Sequence, residues 1–479
     1  AILENPDRSV KNEINLSMSN SQWSINKSST LNNLHANNAE ITFTPTSEYK
    51  TLTIKDNLTG SSTFNLNTNI AENKSDKIIV QGTAEGSHKI GVTNQGANVA
   101  NGKVTLVETN GGNAAFSLTN PNNRVDLGAY QYFLTKEGNN WVLANSKNAV
   151  TPTPPVATVT PSKPVVTPSK PVVTPNKPVV TPTAPVLPST PLLSDLANAQ
   201  VSLRQAQLLL VEDDLSGIHQ RLGEVKNGEK GNVWARNVNS RQKLAALSTG
   251  ESETSGFKQN VHSLQVGADA AVTNNLRVGG FVGRSQANVD FNGDYGDGKV
   301  RSNSVGLYAA YLADNGIYVD NIVKYSRLHA NSDLTEKRHY NAYTISSELG
   351  KRFNLVNDWT ITPQAQLAWT HISSQENEDS LSSVYSRIGL RVAKGFALSN
   401  GWNLQPYAEV NAITSKNRSS KIHYTNSALD VASSRGRFES AVGLNAGFAN
   451  HRFGLEVSRA DGKNFDKPYA IQAVYRYQW

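Results

Sequence analysis

Any catalytic apparatus in this chain must be built without cysteine, because none of its 479 residues is Cys. That removes a thiol nucleophile and a disulfide framework together. A serine nucleophile needs a special setting, and the sequence holds neither a Gly-x-Ser-x-Gly elbow nor a Gly-Asp-Ser-Gly segment. The nine histidines are scattered, with no pair at metal-ligand spacing. Asn292-Gly-Asp-Tyr-Gly-Asp-Gly298 offers carboxylates to calcium, but not at a recognised loop spacing, and it reads as a surface loop. No cofactor and no metal centre is expected, and the chain is not expected to be an enzyme. What remains is an electrostatic set. Glu348, Arg352, Arg387, Arg391, Glu409 and Glu439 fall on the enclosed face of alternating segments. Carboxylates and guanidiniums on one enclosed face pair with each other and keep that interior solvated.

The segments that position these charges run from Gly231 to Trp479. In the terminal stretch Tyr469, Ile471, Ala473, Tyr475, Tyr477 and Trp479 alternate with Ala470, Gln472, Val474, Arg476 and Gln478. A period of two puts each set on one face of a strand. The apolar face is crowded with aromatics at its end, as strands are at a membrane interface. Trp359 to Thr370, Ser263 to Ala270 and Phe438 to Phe448 alternate in the same way. About twelve such segments can be placed, starting near Gly231, Lys258, Leu276, Arg301, Ile317, Tyr340, Trp359, Val384, Trp402, Arg437, Arg452 and Tyr469. An even number of strands of roughly ten residues is the signature of an outer-membrane barrel. A large soluble β-sandwich also alternates, but it would not place Arg387, Arg391, Glu409 and Glu439 on its buried face.

Upstream the composition changes three times. Residues 1–148 are rich in Asn, Thr, Ser and Gly with short β-branched runs, such as Lys77-Ile-Ile-Val80 and Lys103-Val-Thr-Leu-Val107. Such runs suggest a sandwich or a stacked solenoid whose last rungs need a cap. Trp23, Phe43, Phe64, Phe116, Tyr130, Phe133 and Trp141 are its expected core. Residues 149–191 form a linker in which Thr160-Pro-Ser-Lys-Pro-Val-Val166 recurs at Thr167 and, with one change, at Thr174. A repeat of this kind favours polyproline II and acts as a semi-rigid spacer, roughly 130 Å if fully extended. Residues 192–228 then switch period: Leu196, Ala199, Leu203, Ala206 and Leu210 mark one helix stripe, capped by Ser194 or Asp195 and interrupted at Gly217. A lone helix must bury its stripe on something, and the barrel lumen follows directly. The net charge of +7 is spread out, so nucleic acid is not an expected partner. No run of eighteen apolar residues occurs, so no transmembrane helix is expected. The chain starts at Ala1 without a charged and apolar leader, and reads as a processed or partial chain.

The order of parts resembles the classical (monomeric, type V) autotransporters of Gram-negative bacteria, in particular the pertactin-like and AIDA-type adhesins. Gln220-Arg-Leu-Gly-Glu224 followed by Asn232-Val-Trp-Ala-Arg236 is similar to the family's "KRLGELR…AWGR" segment. Gly306 to Asp320 resembles its "GGYATYIADSGFYLD" strand pair, and Gln405-Pro-Tyr407 and Tyr475-Arg-Tyr477 with Trp479 also match. Tyr130-Gln-Tyr132 through Asn140-Trp-Val-Leu143 is similar to the end of the family's autochaperone region. The resemblance implies an all-β chain with one helix: a C-terminal twelve-stranded antiparallel transmembrane barrel over 229–479, preceded by the end of a right-handed parallel β-helix. It implies that Arg221, Leu222, Gly223 and Glu224 lie in a pore helix, with about 215–228 inside the lumen, and that Tyr475, Tyr477 and Trp479 form an assembly signal. It also implies insertion in the outer membrane with the help of the barrel-assembly machinery and periplasmic chaperones. The passenger is then displayed on the cell surface or released, and meets host-cell or bacterial surface ligands. In some members a pore-helix asparagine attacks its own backbone; the matching position here holds Ser216-Gly217, so that reaction is not expected. A non-catalytic adhesive passenger is the first expectation, and an enzyme domain upstream of residue 1 the alternative. A diffusion porin would have neither solenoid, spacer nor helix.

Overall fold

The computed structural model describes residues 2–4, 13–151, 185–224, 226–433 and 436–479. The proline-rich repeat at 160–180 lies outside them. The chain divides into two compact units. One holds Ala1–Ser194 with Thr425–Ser427, and the other Asp195–Tyr424 with Ala428–Trp479.

The first unit is a stacked parallel solenoid. Asn33–Phe43, Leu58–Asn69, Ser87–Asn94 and Ala115–Leu118 pair in parallel along one sheet, and Ser29–Leu31, Thr51–Ile54, Lys77–Val80 and Lys103–Thr109 along the other. Each residue meets the residue one rung away, so like side chains stack: Phe64 pairs in register with Ile90, and the ring of His88 lies 5.2 Å from that of Phe116. The tight turn at Gly86 needs φ +96°, and a Cβ there would sit 1.9 Å from the Gly60 carbonyl oxygen. Only glycine fits both demands. The exposed end of the second sheet is closed by antiparallel strands, Tyr130–Glu137 and Asn140–Ala144, laid on Lys103–Thr109. That cap moves the sheet edge from the long rung strand to the short strand Arg124–Leu127. Of the expected core aromatics, Phe43, Phe64, Phe116 and Tyr130 are buried, while Trp23, Phe133 and Trp141 are half-buried. Tyr132 takes the core position instead, its hydroxyl donating to the Val99 carbonyl at 2.7 Å.

The second unit is a closed antiparallel barrel of twelve long strands. They are β1 (Gly231–Leu244), β2 (Phe257–Ala271), β3 (Leu276–Phe291), β4 (Asp297–Leu312), β5 (Ile317–Ser332), β6 (Arg338–Lys351), β7 (Trp359–Ile372), β8 (Leu381–Lys394), β9 (Asn403–Asn417), β10 (Arg437–Phe448), β11 (His451–Gly462) and β12 (Phe465–Gln478). Each pairs with its sequence neighbours, and β12 returns to β1 with Asn232 opposite Gln478 and Leu244 opposite Phe465. Burial alternates along every strand, and the large apolar side chains are on the outside: Leu367 and Ile388 are 59% and 71% exposed. The inside carries Gln, Ser, Arg and Glu. This inversion excludes the soluble sandwich and is what a membrane barrel requires. Short turns such as 272–275 and 449–450 join strands at the rim that holds Gly231 and Trp479, and the long connections 245–256 and 418–436 lie at the opposite rim. Short periplasmic turns and longer outer loops set the orientation.

Candidate functional site

The lumen is filled by two helices rather than one. α1 (Asp195–Asp213) holds 19 residues, and α2 (Ile218–Leu222) follows after a break at 214–217. At about 1.5 Å per residue α1 is roughly 28 Å long, close to the height of a barrel's apolar band. Its apolar stripe is buried from Ala199 to Leu210, with Leu196 at its start exposed, but so are Asn198, Ser202, Arg204 and Gln207 beside that stripe. The lumenal segment therefore begins at Asp195, well before the expected 215. The apolar stripe pointed to one buried face because it assumed an apolar partner. The partner here is a polar strand face, so Asn198 and Arg204 are buried with hydrogen bonds to the wall.

From the loop rim inward, Asn198 Nδ2 donates to Ser255 Oγ at 2.9 Å, and Ser255 N–H returns a bond to Asn198 Oδ1 at 2.9 Å. Arg204 donates to the carbonyls of Asp379 (2.6 Å) and Ser373 (3.3 Å), and its guanidinium lies 5.0 Å from the Tyr340 ring. Glu212 accepts from Ser415 Oγ at 2.6 Å. The helix ends where carboxylates meet the wall: Asp213 pairs with Lys467 at 2.7 Å, and Asp214 accepts from Ser263 and Ser285, each at 2.7 Å. Lys324 Nζ donates to the Val211 carbonyl, placing a cation at the helix C-terminus. Leu209, Glu212, Gly217 and Glu439 border a polar cavity of about 90 Å³ beside the break.

α2 is held more tightly. Arg221 Nη2 donates to Asp320 Oδ1 at 2.7 Å, both side chains being 1% exposed, and its guanidinium lies 4.2 Å from the Tyr308 ring. Ile218 and Leu222 join Trp234, Phe281, Tyr308 and Tyr318 in an apolar cluster. Gly223 ends α2 at φ +62°, where a Cβ would come within 2.3 Å of Arg476 Nη2. Glu224 then pairs with Arg352 at 2.7 Å and reaches Arg391 at 4.0 Å.

The structure thus brings most of the sequence-derived charges to one lumen, with partners the sequence did not specify. Glu348 pairs with Arg387 at 2.8 Å and also accepts the Ile218 N–H at 3.3 Å. Glu409 accepts from Gln364 and, at 2.9 Å, from Gln220. Arg391 stacks 3.7 Å from the Tyr407 ring. Glu439 faces the cavity without an ion pair among the described residues. Tyr475, Tyr477 and Trp479 are on the outer face instead, away from the lumen. Trp479 lies at the seam, its carbonyl accepting from Lys230 and Gly231 N–H groups and its N–H donating to the Gly231 carbonyl at 3.2 Å. Asp320, Arg204 and the Asp213–Lys467 pair went unread in the sequence. Asp320 had a signal, since it shares the inward parity of Ile322 and Lys324. Asn292 to Gly298 spans the tip of the β3–β4 hairpin.

Comparison with known proteins supports the same reading. The family model described as autotransporter β-domain matches residues 233–458, and the model described as pertactin matches 31–145. The pertactin autotransporter of Bordetella parapertussis is 33% identical over 97% of this chain and 54% of its own length. The BrkA autotransporter of Bordetella pertussis is 28% identical over 95% of this chain and 43% of its own. This chain therefore spans about half the length of these relatives. Serine protease EspP of Escherichia coli is 25% identical over 96% of this chain and 34% of its own. With both segments matched and the relatives aligned over nearly the whole chain, this chain carries the β-domain of an autotransporter at 233–458 and a pertactin-like segment at 31–145.

Proposed function

We propose that this chain is a translocator unit that displays a non-catalytic, adhesive passenger on the surface of a Gram-negative bacterium. The barrel sits in the outer membrane, and the segment ahead of Asp195 is its cargo. The observation that carries this reading is α1, a polar-faced helix bonded to the lumen wall along its length, which is the state of a chain left in the pore it has passed through. Arg221, Leu222, Gly223 and Glu224 anchor that chain at the periplasmic end, through Asp320, Arg352 and the apolar cluster. Tyr475, Tyr477 and Trp479 present the outward aromatic end that the barrel-assembly machinery reads, with periplasmic chaperones holding the strands before insertion. The antiparallel cap at 130–144 acts as the autochaperone, folding first outside and blocking return.

The adhesive passenger is supported by its solenoid form and by the pertactin and BrkA relatives. The second reading, an enzyme passenger whose catalytic domain precedes residue 1, is favoured by the EspP match. An epitope inserted at Gly138-Asn139, a turn between cap strands, tests display. It should be accessible to antibody and to added protease on intact cells. Detection only after the outer membrane is permeabilised would refute the proposal. Labelling of the full-length gene product by a fluorophosphonate would favour the enzyme passenger over the adhesive one.

A further inference from the structure

The outward face of the barrel is not uniform. On β7 it is apolar from Trp359 to Trp369, about 25 Å of membrane height at a strand rise of roughly 3.3 Å and a tilt near 40°. On β3 it is apolar only from Leu276 to Val282, and on β4 only from Tyr311 back to Val305, about 15 Å each by the same geometry. Above that shortened band, the register gathers cations that are far apart in sequence. Arg284 on β3, Asn303 on β4 and Arg327 on β5 are direct cross-strand neighbours. The next row towards the loops reads Gln286, Arg301, His329 and His339, and the row beyond reads Asn288, Lys299 and Asn331. The row beneath reads Val282, Val305, Tyr325 and Tyr343. Arg284, Arg301 and Arg327 are exposed and Lys299 half-exposed, and none has an ion-pair partner among the described residues. Elsewhere on the outer face, Arg459 is paired with Asp461 at 2.9 Å. Asp290, Asp297 and Asp333 lie beyond Lys299, bordering a shallow groove on the loop side.

Four cations without counterions, at the upper edge of an apolar wall, need anions at the membrane surface. Strands lie roughly 4.8 Å apart, so Arg284 and Arg327 stand about 10 Å from each other across Asn303. Arginine binds phosphate through two parallel N–H bonds, and such bonds gain strength away from bulk water. We propose that the outward face of β3–β5 is a binding site for lipid A, the phosphorylated glycolipid of the outer leaflet. Arg284, Arg301, Arg327 and Lys299 take its phosphates, and Val282, Val305, Tyr325 and Tyr343 pack its acyl chains. The site holds the lipid lower than the β7 face would and matches the shortened apolar band. This proposal rests on the outer-membrane reading of the barrel.

The test uses the full chain folded in neutral detergent, titrated with bis-phosphorylated hexa-acyl lipid A and followed by native mass spectrometry. Arg284→Gln/Arg301→Gln/Arg327→Gln is compared with Lys394→Gln/Lys416→Gln/Arg459→Gln, which removes the same charge from other strands. Heat-modifiable gel mobility reports folding separately for each. The first triple should bind at least tenfold more weakly than the native chain, the second within twofold of it, and dephosphorylated lipid A should bind the native chain no better than the first triple binds lipid A. Equal weakening by both triples, retention of binding by the first, or equally tight binding of dephosphorylated lipid A or phosphatidylglycerol would overturn the lipid A site while leaving the barrel intact. Loss of heat-modifiable mobility in the native chain would overturn the barrel reading and this proposal with it.

Discussion

Replacing Arg221 by methionine removes the cation from the most enclosed ion pair between the lumenal segment and the wall. Arg221 and Asp320 are each 1% exposed and 2.7 Å apart, and Tyr308 covers the guanidinium at 4.2 Å. Breaking a buried pair by removing one partner costs about 3–5 kcal/mol, because the surviving charge stays buried. A loss of about 3 kcal/mol raises the population of detached α2 on the order of a hundredfold. The chain lacks cysteine, so Ser216→Cys, at a buried position beside α2, gives a single reporter thiol. Its labelling by a maleimide in the folded protein should accelerate on the order of a hundredfold in Arg221→Met. Asp320→Asn should accelerate it similarly, and the double variant should recover at least tenfold, since no lone charge remains. A change of less than threefold in the single variant, or no recovery in the double, would show that the pair does not hold the helix.

Deleting Trp479 removes its seam bonds to Lys230 and Gly231 and the last outward ring; inserted protein should fall several-fold with periplasmic degradation, while the melting of what does insert changes little. Gly86→Ala should unfold the first unit, because the φ of +96° and the 1.9 Å approach to Gly60 are both incompatible with a Cβ; protease resistance of residues 13–150 reads this, and near-native resistance would refute the rung geometry. His88 is 1% exposed, between Ser62 Oγ at 2.6 Å and the Glu85 carbonyl at 2.9 Å. Burial holds its pKa below the ordinary 6.5, with the Glu85 hydrogen bond pulling the other way. The unfolded chain therefore takes up the proton first. Solenoid stability should be flat in His88 above pH 6.5 and fall below it, by up to about 1.4 kcal/mol per pH unit. His88→Asn should lower stability at pH 7.5 yet abolish that slope; an unchanged slope would refute the assignment.

The barrel was legible because lipid on one side and water on the other impose a period of two that no tertiary context hides. Where a strand start differs by two or more residues from the one read in the sequence, the strand begins earlier. Strands read from Arg301, Val384 and Tyr469 begin at Asp297, Leu381 and Phe465. Those ends rise above the apolar band, where the outward face turns polar and the alternation fades. The helix stripe through Leu203 and Leu210 and its interruption at Gly217 were legible too, but the burial of its polar faces was not, because hydrogen bonds to a polar wall replace apolar burial there. Partners were the least legible. Arg221 meets Asp320 through the depth at which α2 sits, and Glu348 meets Arg387 through side chains on non-adjacent strands. In the solenoid, partner offsets between neighbouring rungs vary, Ser29 meeting Leu52 and Thr51 meeting Lys77. A repeat that changes length from rung to rung leaves no fixed period to find.

The segment from Asp195 fills the pore of a membrane-spanning barrel. Conductance in a planar bilayer measures this most directly. A helix with its side chains is about 10–12 Å across, and a twelve-stranded barrel leaves little room beside it. The intact chain should conduct poorly, and the same chain lacking 195–228 should open a stable channel of markedly higher conductance. Equal conductance in the two proteins would take the helix out of the pore and contradict the account.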